Sequence, residues 1–240
     1  MGFVLDLLRL VYPPRCLACN SEVAQDGMLC GPCRRDTPFI SGLACDMCGV
    51  PLPGSDDVAV HCDDCQKICR PWERGRAVFG YSGQARRMIL AYKHADRPEL
   101  GWSFAPWLAR SLADILTPDT ILVPVPIHPL RLIKRKYNQS AILTNVMARQ
   151  FGLRALPDAL RRTRPTPPLE GLNRVQRFDL LDGAIAHNPT AATALNGADV
   201  VLIDDVMTTG ATLAACADVL AGIGAKRVCV GVLARVALDT

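Results

Sequence analysis

Residues 199–213 read Asp-Val-Val-Leu-Ile-Asp-Asp-Val-Met-Thr-Thr-Gly-Ala-Thr-Leu, and few folds accommodate that order. The aliphatic run Val200 to Ile203 carries no polar alternation, which reads as a strand buried on both faces. Two adjacent carboxylates, Asp204 and Asp205, stand at its end. Thr208, Thr209, Gly210 and Thr212 follow, small residues that let backbone approach a ligand closely. Leu213, Cys216, Ala217 and Leu220 then recur at helical spacing, and Gly222 and Gly224 stop the helix. A second apolar run spans Val228 to Leu233. A strand, turn, helix and strand in this order pair in parallel, so the sequence predicts an α/β fold on a parallel sheet.

The turn has a chemical consequence. A helix N-terminus presents free N–H groups and a positive dipole end, which together favour an anion. Thr208, Thr209 and Thr212 add hydroxyl donors. Asp204 and Asp205 would repel a bare phosphate but suit vicinal hydroxyls, or a metal ion that itself carries phosphate. A ribose bearing a 5-phosphate satisfies both halves. The stretch contains neither G-x-x-x-x-G-K-[ST] nor G-x-G-x-x-G. It resembles the PRPP-binding signature of class I phosphoribosyltransferases. That resemblance implies that Asp204 and Asp205 hold the ribose hydroxyls, and that Thr208, Thr209, Gly210, Ala211 and Thr212 hold the 5-phosphate. The plain alternative is a capped strand–helix turn with two surface acids.

Cysteine sets the second constraint. Of 11 cysteines, eight form four CxxC pairs: Cys16/Cys19, Cys30/Cys33, Cys45/Cys48 and Cys62/Cys65. Each CxxC turn brings two thiolates to one metal, and two turns complete a tetrahedral set of four sulfurs. Pairing in chain order gives two sites, and interleaved pairing is also compatible with the spacing. The expectation is structural Zn2+, at one or two sites, because four thiolates leave no open position for chemistry. A segment with so few large apolar residues needs the metal to fold. His61 stands beside Cys62 as a substitute ligand or a surface histidine. Cys69 is spare, and Cys216 and Cys229 read as small core residues.

Composition places the ribbon and the parallel sheet in separate parts. Cysteine stops and regular periodicity begins near Arg70, so the reading divides the chain into residues 1–70, a double zinc ribbon with a short N-terminal amphipathic helix, and residues 71–240, an α/β domain. No apolar run reaches the roughly 18–20 residues of a membrane span, and Met1 to Tyr12 lacks the basic leader of a signal peptide. The expectation is a cytoplasmic chain. The net charge of +4 is too mild to indicate nucleic acid by itself.

Within the second part, Ala77 to Tyr81 reads as a strand, Gln84 to Tyr92 as a helix followed by Lys93 and His94, and Phe104 to Leu116 as another helix. Ile121 to Pro126 reads as a strand broken by prolines. Arg131, Lys134, Arg135 and Lys136 then cluster before Tyr137, Asn138 and Gln139. Four cations beside a strand end suit pyrophosphate or a nucleic-acid backbone; a solvated basic face is the plain alternative. Arg161, Arg162, Arg164, Arg174 and Arg177, among prolines, read as a long cationic loop and a candidate lid.

Taken in order, the ribbons, Lys93, the segment Pro124 to Pro129, Arg135-Lys136-Tyr137-Asn138-Gln139, Arg-Thr-Arg-Pro-Thr-Pro-Pro and the Asp-Asp/Thr-Thr-Gly turn look like the ComF family, which includes GntX-type proteins. The resemblance spans nearly the whole chain. It implies a double zinc ribbon ahead of a phosphoribosyltransferase-like domain, PRPP with Mg2+ as ligand, and a link to natural transformation through single-stranded DNA and competence-machinery proteins. It puts Arg135 and Asn138 in the loop that meets pyrophosphate. Leu169 and Leu180-Leu181 depart from the family's pattern, which has Gln and Asn there. Three functions fit: a phosphoribosyltransferase, a single-stranded-DNA-binding protein that senses a nucleotide or PRPP in the same pocket, and a scaffold whose ribbons dock a partner.

Overall fold

The computed structural model describes residues 12–55, 58–94, 97–165 and 174–237, without the side chains of Lys134 and Arg174. The expected N-terminal helix falls on residues 1–11, outside the described residues, as do Leu169 and most of the proline-rich stretch. Two short helices lie in the cysteine-rich segment, α1 (Gly31–Asp36) and α2 (Asp63–Lys67). Then come β1 (Gly75–Gly80), α3 (Gly83–His94), α4 (Leu100–Ser111), β2 (Ile121–Pro124), α5 (Pro129–Arg135), α6 (Gln139–Phe151), β3 (Arg154–Ala155) and β4 (Leu160–Arg162). The chain closes with α7 (Arg174–Leu181), β5 (Ile185–His187), α8 (Pro189–Leu195), β6 (Asp199–Met207), α9 (Ala211–Gly222) and β7 (Arg227–Arg235).

The main sheet has five parallel strands in the order β1-β7-β6-β2-β3. The register pairs Asp204 with Val232 and Ile203 with Pro124. Side chains alternate across the sheet, so each face of β6 joins a different core. Val201 and Ile203 pack with Ile89, Phe104, Leu108, Leu143 and Met147. Val200 and Leu202 pack with Leu213, Ala217 and Leu220 of α9, and with Val228, Val230 and Val232. Burial on both faces is why the strand lacks polar alternation; each fully buried aliphatic side chain contributes about 1.5–3 kcal/mol. Cys216 and Cys229 are fully buried in these cores, as expected.

The ribbon does not stand apart from the sheet. Cys16, Leu29 and Cys33 share the core of Phe79, and Phe39 bridges to Phe79 with ring centroids 4.8 Å apart, edge to face. On the other face, Cys45, Cys48 and Cys65 join the core of Val230 and Val232. Asp46, inside the third CxxC, accepts from Arg74 and Arg76 at the start of β1 at 3.0 and 2.6 Å, and both arginines reach Asp114 at 2.6 Å. Gly75 lies so close beneath this knuckle that a Cβ there would sit 2.5 Å from the Met47 carbonyl oxygen.

Several element bounds differ from the sequence reading. β6 runs on to Met207, so Asp204 and Asp205 lie within the strand, because β7 continues pairing past them as far as Met207↔Arg235. Lys93 and His94 form the last turn of α3. The helix expected over Phe104 to Leu116 starts at Leu100 and stops at Ser111, where the Leu112 N–H divides between the carbonyls of Leu108 and Ala109; Leu112 and Ile115 are buried nonetheless. The cationic loop is more regular than its prolines suggest. Arg161 and Arg162 lie in β4, which pairs antiparallel with β5, and Arg174 and Arg177 lie in α7. Leu160, Arg162 and Leu181 are buried, and this burial stabilises structure that local propensity alone does not indicate.

Candidate functional site

The cysteines group in chain order. Cys16, Cys19, Cys30 and Cys33 form one set and Cys45, Cys48, Cys62 and Cys65 another, with all sulfurs of a set within 4.8 Å of one another. Cys19 Sγ and Cys30 Sγ are 3.6 Å apart, and Cys48 Sγ and Cys62 Sγ 3.7 Å. A tetrahedron of Zn–S bonds of about 2.3 Å has edges of about 3.8 Å, so both sets fit zinc. The Cys30 N–H donates to Cys16 Sγ at 3.3 Å, a contact that favours the thiolate. No sulfur is in a disulfide. Among the described residues these are the structural Zn2+ sites, two in number. His61 and Cys69 belong to neither set.

The second centre lies at the carboxyl edge of the parallel sheet, where ligands bind in open α/β folds. A cavity of about 200 Å³ is lined by Asp204, Asp205, Thr212, Asn138, Ser140, Lys93, Arg131, Arg135 and Arg162, among others. Asp204 Oδ1 accepts from Ser140 Oγ at 2.9 Å and from the Asp205 N–H at 2.9 Å. Asp205, 8% exposed, pairs with Lys93 Nζ at 2.9 Å. Burial, then the charge of Asp205, push the Asp204 carboxyl up to about 7 against the opposing pull of Lys93, the Asp205 N–H and Ser140. Two adjacent acids beside the Lys93 ammonium are thus poised to accept hydroxyl donors or a cation.

The turn beyond them is held from behind by two buried arginines. Arg235 Nη1 donates to the Thr208 carbonyl at 2.6 Å, and Arg70 Nη1 donates to the Thr209 carbonyl at 2.8 Å. In a trans peptide the carbonyl and the following N–H point in opposite directions, so the N–H groups of Thr209 and Gly210 face away from the arginines. Gly210 caps α9 with φ +84°, and the Thr209 hydroxyl accepts from the Ala211 N–H at 3.4 Å. The turn is snug: Thr209 and Ala211 are 7% and 3% exposed. Thr208 and Thr212 are more open, and Arg177 of α7 donates to the Thr208 hydroxyl at 2.9 Å.

Of the residues singled out in the sequence, Asp204, Asp205, Thr212, Arg135 and Asn138 line one cavity, and Thr208 to Ala211 form the adjoining turn. Asn138 has both polar atoms engaged: it caps α6 by accepting from the Ser140 N–H at 3.1 Å and donates to the Val125 carbonyl at 3.1 Å. Its role in the fold is to join the end of β2 to the start of α6. Sequence reading gave no site role to Ser140, Arg70 or Arg235, and gave Arg162 only a place in the cationic loop and candidate lid rather than in the cavity lining. Arg235 had a signal, an arginine closing a strand whose preceding eight residues are nearly all apolar. Arg162 lies in a short strand of alternating burial. Burial lowers its pKa, as does Arg131, whereas Cys216 and Asp204 raise it. A larger cavity, about 620 Å³, lies behind α9 and is lined by alanines with Asp179, Asp182 and Asp218. Its lining is acidic and apolar, and it suits a phosphate poorly.

Comparison with known proteins finds matches for both parts of the chain. The double zinc ribbon domain family matches residues 7–66 and the phosphoribosyl transferase domain family residues 103–239. The chain is 30% identical to the DNA utilization protein YhgH of Escherichia coli (strain K12) over 234 residues, covering 94% of this chain and 99% of that protein. It is 27% identical to Competence protein F of Haemophilus influenzae over 229 residues, 92% of this chain and 96% of that protein. Competence protein ComFC of Bacillus subtilis (strain 168) is 24% identical over 218 residues, 82% of this chain and 85% of that protein. With a double zinc ribbon followed by a phosphoribosyltransferase domain on a parallel sheet, the chain belongs to the ComF family.

Proposed function

We propose that this chain binds PRPP, or another ribose 5-phosphate, at the carboxyl edge of its sheet, and serves DNA uptake, a reading supported by relatives named for DNA utilization and for competence. The observation that carries the reading is the adjacency of the two acids and the arginine-held turn within one cationic cleft. In this reading Asp204 and Asp205 accept the ribose 2- and 3-hydroxyls, and Thr208, Thr209, Gly210, Ala211 and Thr212 hold the 5-phosphate. Lys93, Arg131, Arg135 and Arg162 face the pyrophosphate, and Arg177 lies over the turn as part of a lid. Asn138 positions the pyrophosphate loop. The carboxylate donors of Asp204 and Asp205 fit Mg2+, which takes oxygen ligands and is commonly shared between carboxylates and substrate phosphates. When bound, Mg2+ supplies charge neutralisation at the leaving group.

Pentosyl transfer breaks the bond from C1 to pyrophosphate as a nitrogen nucleophile attacks, and C1 gains oxocarbenium character. Such a step depends on positioning and charge stabilisation more than on a strong base. The acids can stabilise the developing positive charge and the four cations the departing pyrophosphate. The proposed domain division is residues 1–70 and 71–240, with the two parts sharing cores. No described helix is long and apolar enough to cross a membrane, and the reading places the protein in the cytoplasm.

The second reading, single-stranded-DNA binding without turnover, draws on α5. Leu130 and Ile133 are 65% and 78% exposed there, beside Arg131 and Arg135 at the cavity mouth. The cations suit a strand's phosphate backbone; α5 has no aromatic side chain on which a base would stack. Incubating the protein with Mg2+, PRPP and a pool of nucleobases separates the two. Pyrophosphate release that is lost in Asp204→Asn supports transfer. Its absence, with PRPP still bound and salt-dependent strand binding weakened by Arg135→Ala, supports the second.

A further inference from the structure

Arg70 belongs to both centres. It is 5% exposed, and its Nε donates to Cys65 Sγ at 3.3 Å, while Nη1 donates to the Thr209 carbonyl at 2.8 Å. Cys65 is a ligand of the second ribbon, and Thr209 lies in the turn. One planar guanidinium therefore joins a metal ligand to the turn 139 residues away in sequence.

The guanidinium is held in that place by the same ribbon. It lies over the Trp72 ring, with Cζ 5.1 Å from the centroid, and Trp72 Nε1 donates to the carbonyl of Met47 at 2.6 Å. Met47 lies between the ligands Cys45 and Cys48. On the other side the fit requires glycine: a Cβ on Gly210 would collide with Arg70 Nη1 and stand 3.1 Å from the Trp72 ring. A tetrathiolate zinc carries net negative charge, so an N–H donated to its sulfur by a guanidinium is a charge-assisted bond. The guanidinium's fixed fork makes the two attachments geometrically dependent on each other.

We infer that Arg70 is a positioning residue through which the metal state of the second four-cysteine set controls the geometry of the Thr209–Gly210 peptide, and thereby ribose-phosphate affinity. The affinity part rests on the function proposed above; the geometric part does not. With zinc in the set, Cys65 Sγ fixes Arg70, Arg70 fixes the Thr209 carbonyl, and the Gly210 N–H is turned toward the site. When the metal is lost or exchanged, the sulfur moves and the peptide is released. Linkage makes the coupling reciprocal: a phosphate held by the turn retards loss of metal from the ribbon.

The test uses the full chain in zinc-loaded and cadmium-loaded forms, as wild type, Arg70→Lys and Arg70→Gln. Metal content is measured for each, and the Gly210 amide is followed by NMR without ligand. Replacing zinc by the larger cadmium ion should shift the Gly210 amide in the wild type. The shift should be absent in Arg70→Gln and reduced in Arg70→Lys, whose single ammonium cannot span both partners. Amides of Val228 to Leu233 near the sheet centre should be alike in the two variants. Titration with ribose 5-phosphate should show at least about tenfold weaker binding for zinc-loaded Arg70→Gln, or about 1.4 kcal/mol, with two metals per chain retained. A Gly210 shift of equal size in wild type and Arg70→Gln, or none in the wild type, overturns the coupling. If the wild type does not bind ribose 5-phosphate, the reading of the pocket fails and the cadmium comparison alone decides the role of Arg70.

Discussion

Lys93 Nζ lies 2.9 Å from Asp205 Oδ1, whereas the neighbouring Asp204 accepts from Ser140 Oγ and the Asp205 N–H. The two acids are chemically unequal as a result. Asp205 is held as a carboxylate in an ion pair, whereas the Asp204 carboxyl is raised to about 7, first by burial and then by its neighbour's charge.

Affinity for a ribose phosphate should therefore rise with pH through about 7. Below that value Asp204 holds its proton and is a poorer hydroxyl acceptor. The same shift acts on folding with a definite sign. Between the ordinary carboxylate range and about 7 the folded chain binds more protons than the unfolded chain, so this group's contribution to stability falls as pH rises. Asp204→Asn should flatten both profiles, measured by calorimetric titration and by denaturant midpoint from about pH 5 to 8.

Lys93→Met should move the binding profile to higher pH, because Lys93 lowers the Asp204 carboxyl. Affinity at neutral pH should fall by roughly tenfold or more, in line with about 1.5–3 kcal/mol for a charge-assisted bond. A profile with the midpoint of the wild type would show that Lys93 does not set the Asp204 equilibrium.

The fold was legible where the sequence states burial and turn chemistry together. Val200 to Ile203, with no polar alternation, followed by Thr208 to Thr212, yields β6 and the turn to α9. The four CxxC pairs yield the two metal sets. What escaped was determined by tertiary burial. The prolines around Arg164 masked β4 and α7, which form because Leu160, Arg162 and Leu181 are buried against the rest of the chain. The site's supports escaped for a related reason. Arg70 reads locally as the last cation of a ribbon, and only the folded chain brings it to the Thr209 carbonyl. Ser140 is one hydroxyl in a helix's first turn until α6 packs over β6 and presents it to Asp204.

Asp46 clamps the ribbon to the sheet. Burial raises its carboxyl, but hydrogen bonds from Arg74 and Arg76 outweigh this and hold it below the usual range. Its stabilisation is present above the unfolded carboxylate pKa of about 3.9 and is lost as pH falls through the lower folded value. Asp46→Ala should destabilise the chain by about 2–4 kcal/mol, since it leaves two half-buried guanidinium groups short of a partner. Asp114→Ala, at a more exposed carboxyl, should cost about 1 kcal/mol or less. Thermal or denaturant unfolding checks both.

Two zinc ions per chain should be found by elemental analysis. Cys48→Ser and Cys65→Ser should each remove one of them, lower stability, and weaken ribose-phosphate binding more than Cys19→Ser, whose set lies against Leu29 and Phe79. Equal effects of the two sets on ligand binding would contradict a special link between the second set and the pocket.

The most direct test is a calorimetric titration of the zinc-loaded chain with PRPP in the presence of Mg2+, set beside the same titration of Asp204→Asn/Asp205→Asn. Saturable one-to-one binding by the wild type, weakened at least about tenfold in the double variant with zinc content and fold intact, is the expected result. No binding by the wild type, or equal affinity in the two proteins, would contradict a ribose phosphate lodged between the acids and the threonine turn.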